Sequence, residues 1–229
     1  MIDIHSHVIP FLDEGSSDYE ISLKILKEIE SQGVTTLFCT PHTMNGFYAF
    51  SPEVTKEAFE IFKERALKEG IKLNLLFGQE VHYSKDIVSW LKEGKVLSLN
   101  DTPYVLVEYS FRNQIDIAES VYGLVRAGYK PIVAHYERYH YATLDEAYEI
   151  VALGGEIQVN ANTILGEEGK DFKKMALMLL KNDLVSFVAG DMHSHRQYLM
   201  EKAFNYVAKK FGEERANSLF KQNAEKLLK

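Results

Sequence analysis

The sequence is short of the residues that cross-link or interrupt a chain. A single cysteine, Cys39, excludes an internal disulfide and suits a reducing compartment. Five prolines and 14 glycines are too few for a fibrous or disordered chain. No basic segment followed by an apolar stretch opens the sequence, and no apolar run reaches the roughly 20 residues of a membrane span. A cytoplasmic protein without membrane insertion is therefore expected. Positive charge is also scarce: 33 Asp and Glu outweigh 26 Lys and Arg, for a formal charge of −7. That balance argues against a nucleic-acid partner held on a broad basic surface. With no linker, repeat or low-complexity tract, residues 1–229 are expected to form one domain.

Apolar residues make up 46% of the chain, ample for a large core. They gather in seven runs that read as strands: MIDIH, TTLFCTPH, KLNLLFGQE, YVLVEYSF, KPIVAHYE, GEIQVNAN and LVSFVAGDMH. Helical patterns follow near 16–33, 52–69, 85–93, 115–127, 143–153, 168–182, 197–210 and 213–228. In the first, Ser17 and Glu20 have capping-box spacing, Ile21, Ile25 and Ile29 share a face, and Gly33 ends the helix. Trp90 reads as the buried face of a short helix, and Asn223 as an N-cap within the closing helices. Strands alternating with helices predict parallel pairing with both sheet faces covered. Seven units predict an α/β fold, a TIM-like (β/α)7 barrel, with a doubly wound open sheet as the alternative.

The strand ends carry the chemistry. His5 and His7 follow the first strand, with Asp13 and Glu14 in its loop. His42 ends the second, Glu80 the third and Glu108 the fourth. His135 ends the fifth, with Arg138 three residues on, and Asn160 ends the sixth. Asp191, His193, His195 and Arg196 follow the seventh. In a parallel barrel these ends share one face. One carboxylate at a strand end is most simply a helix cap or ion-pair partner, but six of the eight histidines fall at such ends. Imidazole and carboxylate donors without thiolate suit Mn, Fe, Zn or Mg. Nine candidate ligands exceed what one ion takes, so a multinuclear site is expected.

MIDIHSH, the DEG loop, TPH, GQE, VEYSF, AHYERY, QVNAN and GDMHSHR together resemble the polymerase-and-histidinol-phosphatase (PHP) superfamily across essentially the whole chain. Within it, AHYERY, QVN and VLVEYSF are most similar to the bacterial manganese-dependent protein-tyrosine phosphatases of capsule and exopolysaccharide loci. The resemblance implies a PHP-type barrel with three divalent ions, most simply manganese. His5, His7, Glu80 and Asp191 would hold the first. Glu80, Glu108 and His135 would hold the second, and Glu14, His42 and His193 the third, with Asp13 as the alternative to Glu14. Arg138 and Arg196 match the phosphate-binding arginines. The implied activity is hydrolysis of phosphotyrosine in a protein, such as the tyrosine-rich tail of a bacterial tyrosine kinase governing polysaccharide synthesis, by metal-activated hydroxide. Histidinol phosphate is the alternative substrate.

Four ligand carboxylates bring about −4 to such a site and three divalent ions about +6, so an acidic protein can present a cationic pocket. A phenolate with a pKa of about 10 leaves without much help from an acid; His195 or a metal-bound water would serve. Asn45 stands where a cysteine-based phosphatase needs its arginine, so Cys39 reads as a buried strand residue. The segment TMNGFYAFSPE is a candidate substrate wall through Phe47, Tyr48 and Phe50, with Tyr109, Phe111, Tyr136 and Tyr139 near other strand ends.

Overall fold

The computed structural model describes residues 1–44, 46–48 and 50–228. Its strands are β1 (Ile2–Asp3), β2 (Thr36–Cys39), β3 (His42–Thr43), β4 (Asn74–Phe77), β5 (Glu80–His82), β6 (Tyr104–Glu108), β7 (Lys130–Val133), β8 (Glu156–Asn160) and β9 (Phe187–Ala189). The helices between and after them are α1 (Tyr19–Ser31), α2 (Pro52–Lys68), α3 (Ile87–Lys92), α4 (Ile117–Arg126), α5 (Leu144–Ala152), α6 (Ala161–Leu165), α7 (Lys170–Lys181), α8 (Met200–Phe211) and α9 (Glu213–Phe220). Every strand pairing is parallel. β2 and β3 are two pieces of one strand, and β4 and β5 pair with them piece by piece. Seven strand positions result, in the order in which they occur along the chain. The sheet curls until an isolated parallel bridge joins Ser6 to Met192. Two main-chain bonds flank it, Asp191 N–H to His5 O and His7 N–H to Met192 O, both 2.9 Å. This is the (β/α)7 arrangement, closed by a narrow seam.

The strands are buried on both faces, as parallel pairing requires. Leu37, Cys39, Val105, Val107 and Val133 share one apolar cluster with Ile25, Leu26 and Ile29 of α1, on the helical side. Phe38, Leu106, Ile132 and Phe187 fall in a second cluster that no outer helix enters, the barrel interior. Its lower end is stopped by Ala224 and Leu227 from a 3-10 turn at Gln222–Leu227. Each such side chain contributes about 1.5–3 kcal/mol when fully buried.

Several local expectations need correction. Asp18, not Ser17, caps α1: its backbone is extended and its Oδ1 accepts from Ile21 N–H at 2.8 Å. Ile21 is only half-buried, and Ser22, Ile25, Leu26 and Ile29 form the buried face. Gly33, with φ of 79°, ends the helix by donating to Glu30 O. Trp90 is half-buried. The closing segment is α9 followed by the 3-10 turn rather than one helix, and Asn223 is no cap. Its Nδ2 donates to Ser186 O at 2.8 Å, tying the turn to the residue before β9.

Candidate metal centre

Inside the barrel, side chains change character from one end of each strand to the other. On β6 the inward positions run Tyr104, Leu106, Glu108, and the line through β9 runs Phe187, Ala189, Asp191. β8 turns Gln158 and Asn160 inward, since Ile157 and Val159 belong to the helical side. Two residues at the polar end have left-handed backbone, His135 at φ 33° and Asp191 at φ 45°. Each such conformation costs on the order of 1–3 kcal/mol in a non-glycine residue and persists where the surroundings enforce it. Gly15 has no room for a side chain: a Cβ there would overlap His7 O and Cβ, so the 13–15 loop lies directly on His7.

Donor atoms of four residues converge at the centre. His5 Nε2 lies 3.1 Å from His7 Nε2, 3.3 Å from Glu80 Oε1 and 3.6 Å from Asp191 Oδ1. His7 Nε2 lies 3.3 Å from Glu80 Oε2 and 3.5 Å from Asp191 Oδ1. Donor atoms that share one ion at about 2.1 Å sit roughly 3.0–3.4 Å apart, so this spacing is that of a coordination shell. Glu80 extends the cluster, with Oε1 2.9 Å from His135 Nε2 and Oε2 2.9 Å from His42 Nδ1. Glu108 approaches both, its Oε1 3.8 Å from His135 Nε2 and its Oε2 3.9 Å from His42 Nδ1. Glu14 Oε1 lies 3.2 Å from His42 Nε2 and 3.7 Å from His193 Nε2. Among the described residues, three groups bring three donor atoms within 4.8 Å: His5, His7 and Glu80; His7, His42 and His193; and His42, Glu80 and Glu108.

The residues fit divalent ions by a second test. His42 Nδ1, Glu80 Oε2 and His135 Nδ1 are buried without a hydrogen-bond partner. The first two lie 2.9 Å apart, an ion-pair contact that satisfies the hydrogen-bond geometry of neither atom. Buried polar atoms are almost always satisfied, so the orphaned His42 Nδ1 and Glu80 Oε2, adjacent in one cluster, point to a missing cation. His135 meets Glu80 through Nε2, and its orphaned Nδ1 is on the other edge of the ring.

Neighbouring residues hold the donors in place. Asp13 Oδ2 accepts from His7 Nδ1 at 2.7 Å and from His42 N–H, which aims His7 Nε2 at the centre. Asp13 thus orients a donor, while Glu14 faces His42 and His193. Gln158 Oε1 contacts His5 Nδ1 at 3.1 Å and accepts from His135 N–H at 2.9 Å. Asn160 Nδ2 donates to Asp191 Oδ2 at 2.9 Å. His82, on β5, has its Nδ1 3.1 Å from Glu108 Oε2. Asn160 and Gln158 had a signal in the sequence, polar residues two apart in an apolar strand. Glu168 had none: from its loop it reaches Arg138 Nε at 3.6 Å and Arg196 Nη1 at 3.8 Å.

The charges are coupled. Burial alone would lower the imidazole pKa of His7, but Asp13 carries it up to about 9. Burial likewise opposes, and Glu80 with Glu14 overcomes, a rise of His42 to about 12. His5 is also raised, by Glu80 and Asp191 against its burial. His193 is lowered, by burial and by the charge of His7. Burial favours the neutral carboxyl of Glu80, yet His5 and His42 hold it well below the usual range. Without metal, protons on the imidazoles therefore balance the buried carboxylates.

Arg138 and Arg196 meet at the mouth. Asp191 Oδ2 accepts from Arg196 Nη1 at 2.6 Å and from Arg138 Nη1 at 3.3 Å. A cavity of about 100 Å³ lies beneath them, bounded also by Glu14, Glu108, His193 and Phe111. His195 is exposed and lines a different depression, with Asn162 and Glu168. Of the aromatic candidates, Tyr109, Tyr136 and Tyr139 are buried in the core and form no wall. Phe111 does face the cavity: it is 38% exposed, stacks on His135 at 5.4 Å and carries Arg138 over its ring at 5.1 Å. Tyr48 stacks parallel to His42 at 6.3 Å, whereas Phe47 and Phe50 point to solvent. Asn45 and Ala49 of the same segment lie outside the described residues. Cys39 is fully buried on the helical side, and burial pushes its thiol pKa up. No helix among the described residues is long and apolar enough to cross a membrane.

Comparison with known proteins agrees with this geometry. A family model described as capsular polysaccharide synthesis, CpsB/CapC, matches residues 1–229. The chain is similar to the tyrosine-protein phosphatase CpsB of Streptococcus agalactiae, with 35% identity over all of this chain and 98% of that protein. It is equally similar to the tyrosine-protein phosphatase YwqE of Bacillus subtilis, 35% identical over all of this chain and 92% of that one. Among solved structures, it matches one described with YwqE from Bacillus subtilis and CpsB from Streptococcus pneumoniae as unique metal-dependent tyrosine phosphatases. The TM-score is 0.93 at 34% identity, covering all of this chain and 94% of that one.

Proposed function

The chain belongs to the CpsB/CapC family of capsular polysaccharide synthesis proteins, and from that premise we propose that it is a metal-dependent protein-tyrosine phosphatase. The observation that carries the reading is the convergence of His5, His7, Glu80 and Asp191 donors at coordination spacing, beside orphaned atoms of Glu80 and His42. His5, His7, Glu80 and Asp191 would hold a first divalent ion. Glu80, Glu108 and His135 would hold a second, and Glu14, His42 and His193 a third; the donor types suit Mn, Fe, Zn or Mg, and the resemblance to manganese-dependent phosphatases favours manganese. Ions bound there supply a water of lowered pKa and positive charge against the phosphate oxygens.

The remaining chemistry belongs to the chain's own residues. Asp191 engages Nη1 of each arginine and Glu168 lies near Arg138 Nε, which leaves both Nη2 groups for phosphate oxygens. Those donors lie where negative charge grows in the transition state and are already in place, so they need no reorganisation. At about 100 Å³ the cavity is well below the roughly 300–1,000 Å³ of pockets that swallow whole ligands, so it suits a phosphate group with its ring left outside. Phe111, half-exposed at the rim, is placed to flank that ring. A phenolate of pKa about 10 departs without a strong acid, which agrees with His195 standing outside the cavity. The substrate would be a phosphotyrosine protein, such as the tail of a bacterial tyrosine kinase, met in the cytoplasm.

The test is hydrolysis of a phosphotyrosine peptide beside histidinol phosphate by EDTA-stripped protein, with and without manganese. Manganese-restored turnover of the peptide is the expected result. Turnover of histidinol phosphate alone would replace this reading with the alternative substrate, which the named relatives do not favour.

A further inference from the structure

On the outer layer, α7 and α8 leave a concave groove of about 440 Å³ between them. Its floor is apolar, made by Leu177, Met178 and Phe211. Its rim is basic: Lys170, Lys174 and Lys181 rise from α7, and Lys210 from α8. Among the described residues, none of these four lysines has a carboxylate within ion-pair distance. Lys210 Nζ donates to Tyr206 Oη at 3.3 Å, and the fifth, Lys173, is fixed, its Nζ donating to Leu165 O at 3.0 Å. Unpaired positive charge around an apolar floor is anomalous on a chain of formal charge −7. The site is also connected. Glu168, two residues before α7, reaches both arginines at the mouth of the metal centre. From Lys170 to Lys181 the groove follows α7, so it starts at the rim of the catalytic face and descends for about 18 Å, the length of a 12-residue helix.

Resting on the phosphatase reading, we infer that this groove is a docking track for an acidic, partly apolar segment of the substrate protein adjacent to its phosphotyrosine. Carboxylates of the segment pair with the rim lysines while one or two apolar side chains enter the floor. Charge complementarity selects the sign of the partner. Lysines on both sides of a narrow apolar floor fit an extended peptide running along α7, with an anionic vesicle as the competing occupant in the test. Substrates with an acidic flank are then captured at lower concentration than substrates with a neutral one, and added salt erodes the difference.

The experiment compares the manganese-loaded protein with its K174E/K181E/K210E variant on three substrates: a phosphotyrosine peptide with an acidic flank, the same peptide with a neutral flank, and 4-nitrophenyl phosphate. The expected result is a KM for the acidic peptide raised by about tenfold, the order that a few exposed ion pairs supply together. The neutral peptide and 4-nitrophenyl phosphate should be unaffected. The milder K174Q/K181Q variant should fall between, which separates lost pairing from new repulsion. Equal KM values for both peptides in the unaltered protein would overturn the inference while leaving the phosphatase reading intact. No turnover of any substrate would sink that reading instead. Docking is then read from binding of a fluorescent, unphosphorylated acidic peptide, which the variant must weaken if the track exists. Tighter binding to phosphatidylglycerol vesicles than to this peptide, lost in the variant, would replace the peptide with a membrane surface.

Discussion

The two ends of the barrel interior are built on the same strands and solve opposite problems. At the lower end Phe38, Leu106, Ile132 and Phe187 pack against one another, and the C-terminal turn covers them. At the upper end Glu80, Glu108, Asp191 and five imidazoles crowd into a space that leaves some of their polar atoms unpartnered. The lower end is complete by itself and supplies stability. The upper end is complete only with cations, and its charges are a cost that the lower end's packing offsets. One short strand such as β6, climbing from Tyr104 through Leu106 to Glu108, thus joins the stabilising and reactive halves within five residues.

The sharpest way to break this contrast is at Glu80. Glu80→Gln should cut manganese-dependent turnover of a phosphotyrosine peptide by on the order of 10²–10³-fold, the range seen when one charge-stabilising group is removed, while circular dichroism shows the fold retained. Near-normal turnover would mean that the converging donors are not the reactive centre. The converse change, Leu106→Ala, should cost about 2–5 kcal/mol in urea unfolding and leave kcat unchanged well below the melting temperature. A loss of turnover out of proportion to unfolding would show that the two ends are not separable.

Between these lies Asp13, which touches His7 and His42 without facing the central donors. Asp13→Asn should weaken manganese binding by about 10–100-fold in a calorimetric titration, because the imidazole loses the partner that aims it. The smallest effect on turnover is expected at Glu137, buried beside the site, where the readout is stability. Burial raises its pKa to about 8, against the donation of Asn160 N–H. The folded state therefore holds a proton there that the unfolded chain releases near pH 4.5. Stability from this group falls as pH rises from about 4.5 to 8, and the penalty is complete above that. Glu137→Gln cannot ionise, so its melting temperature should exceed that of the unaltered protein by on the order of 10 °C at pH 9 and match it near pH 4.5. A constant difference across that range would assign the effect to packing.

How much of this was legible beforehand depended on whether the cause was local. Apolar runs such as VLVE and PIVA alternating with amphipathic segments led to a parallel barrel, because period and length are properties of neighbours in the chain. The histidines and carboxylates at strand ends were legible for the same reason: a parallel barrel puts all those ends on one face whatever the loops do. Which way a residue turns after the strand ends was not legible. A left-handed His135 followed by a tight turn at Tyr136–Arg138 sends Tyr136 and Tyr139 into the core and Arg138 to the mouth, although all sit within five residues. Ser17 and Asp18 are both good caps, and only the path of the chain into α1 chose Asp18. The role of Glu168 depends on where a loop between α6 and α7 comes to rest, which no local pattern announces.

The seam of the barrel has one more consequence. The ring closes through a single bridge, Ser6 to Met192, and on either side of it stand His5, His7 and Asp191. An ion shared by those three residues would act as a rivet between the first and last strands, fastening the sheet where its own hydrogen bonds are fewest. Cofactor loading and architectural integrity would then be one equilibrium, with the closed ring favoured by RT ln(1 + [ion]/Kd). The supply of metal would set how tightly the molecule is shut as well as whether it turns over.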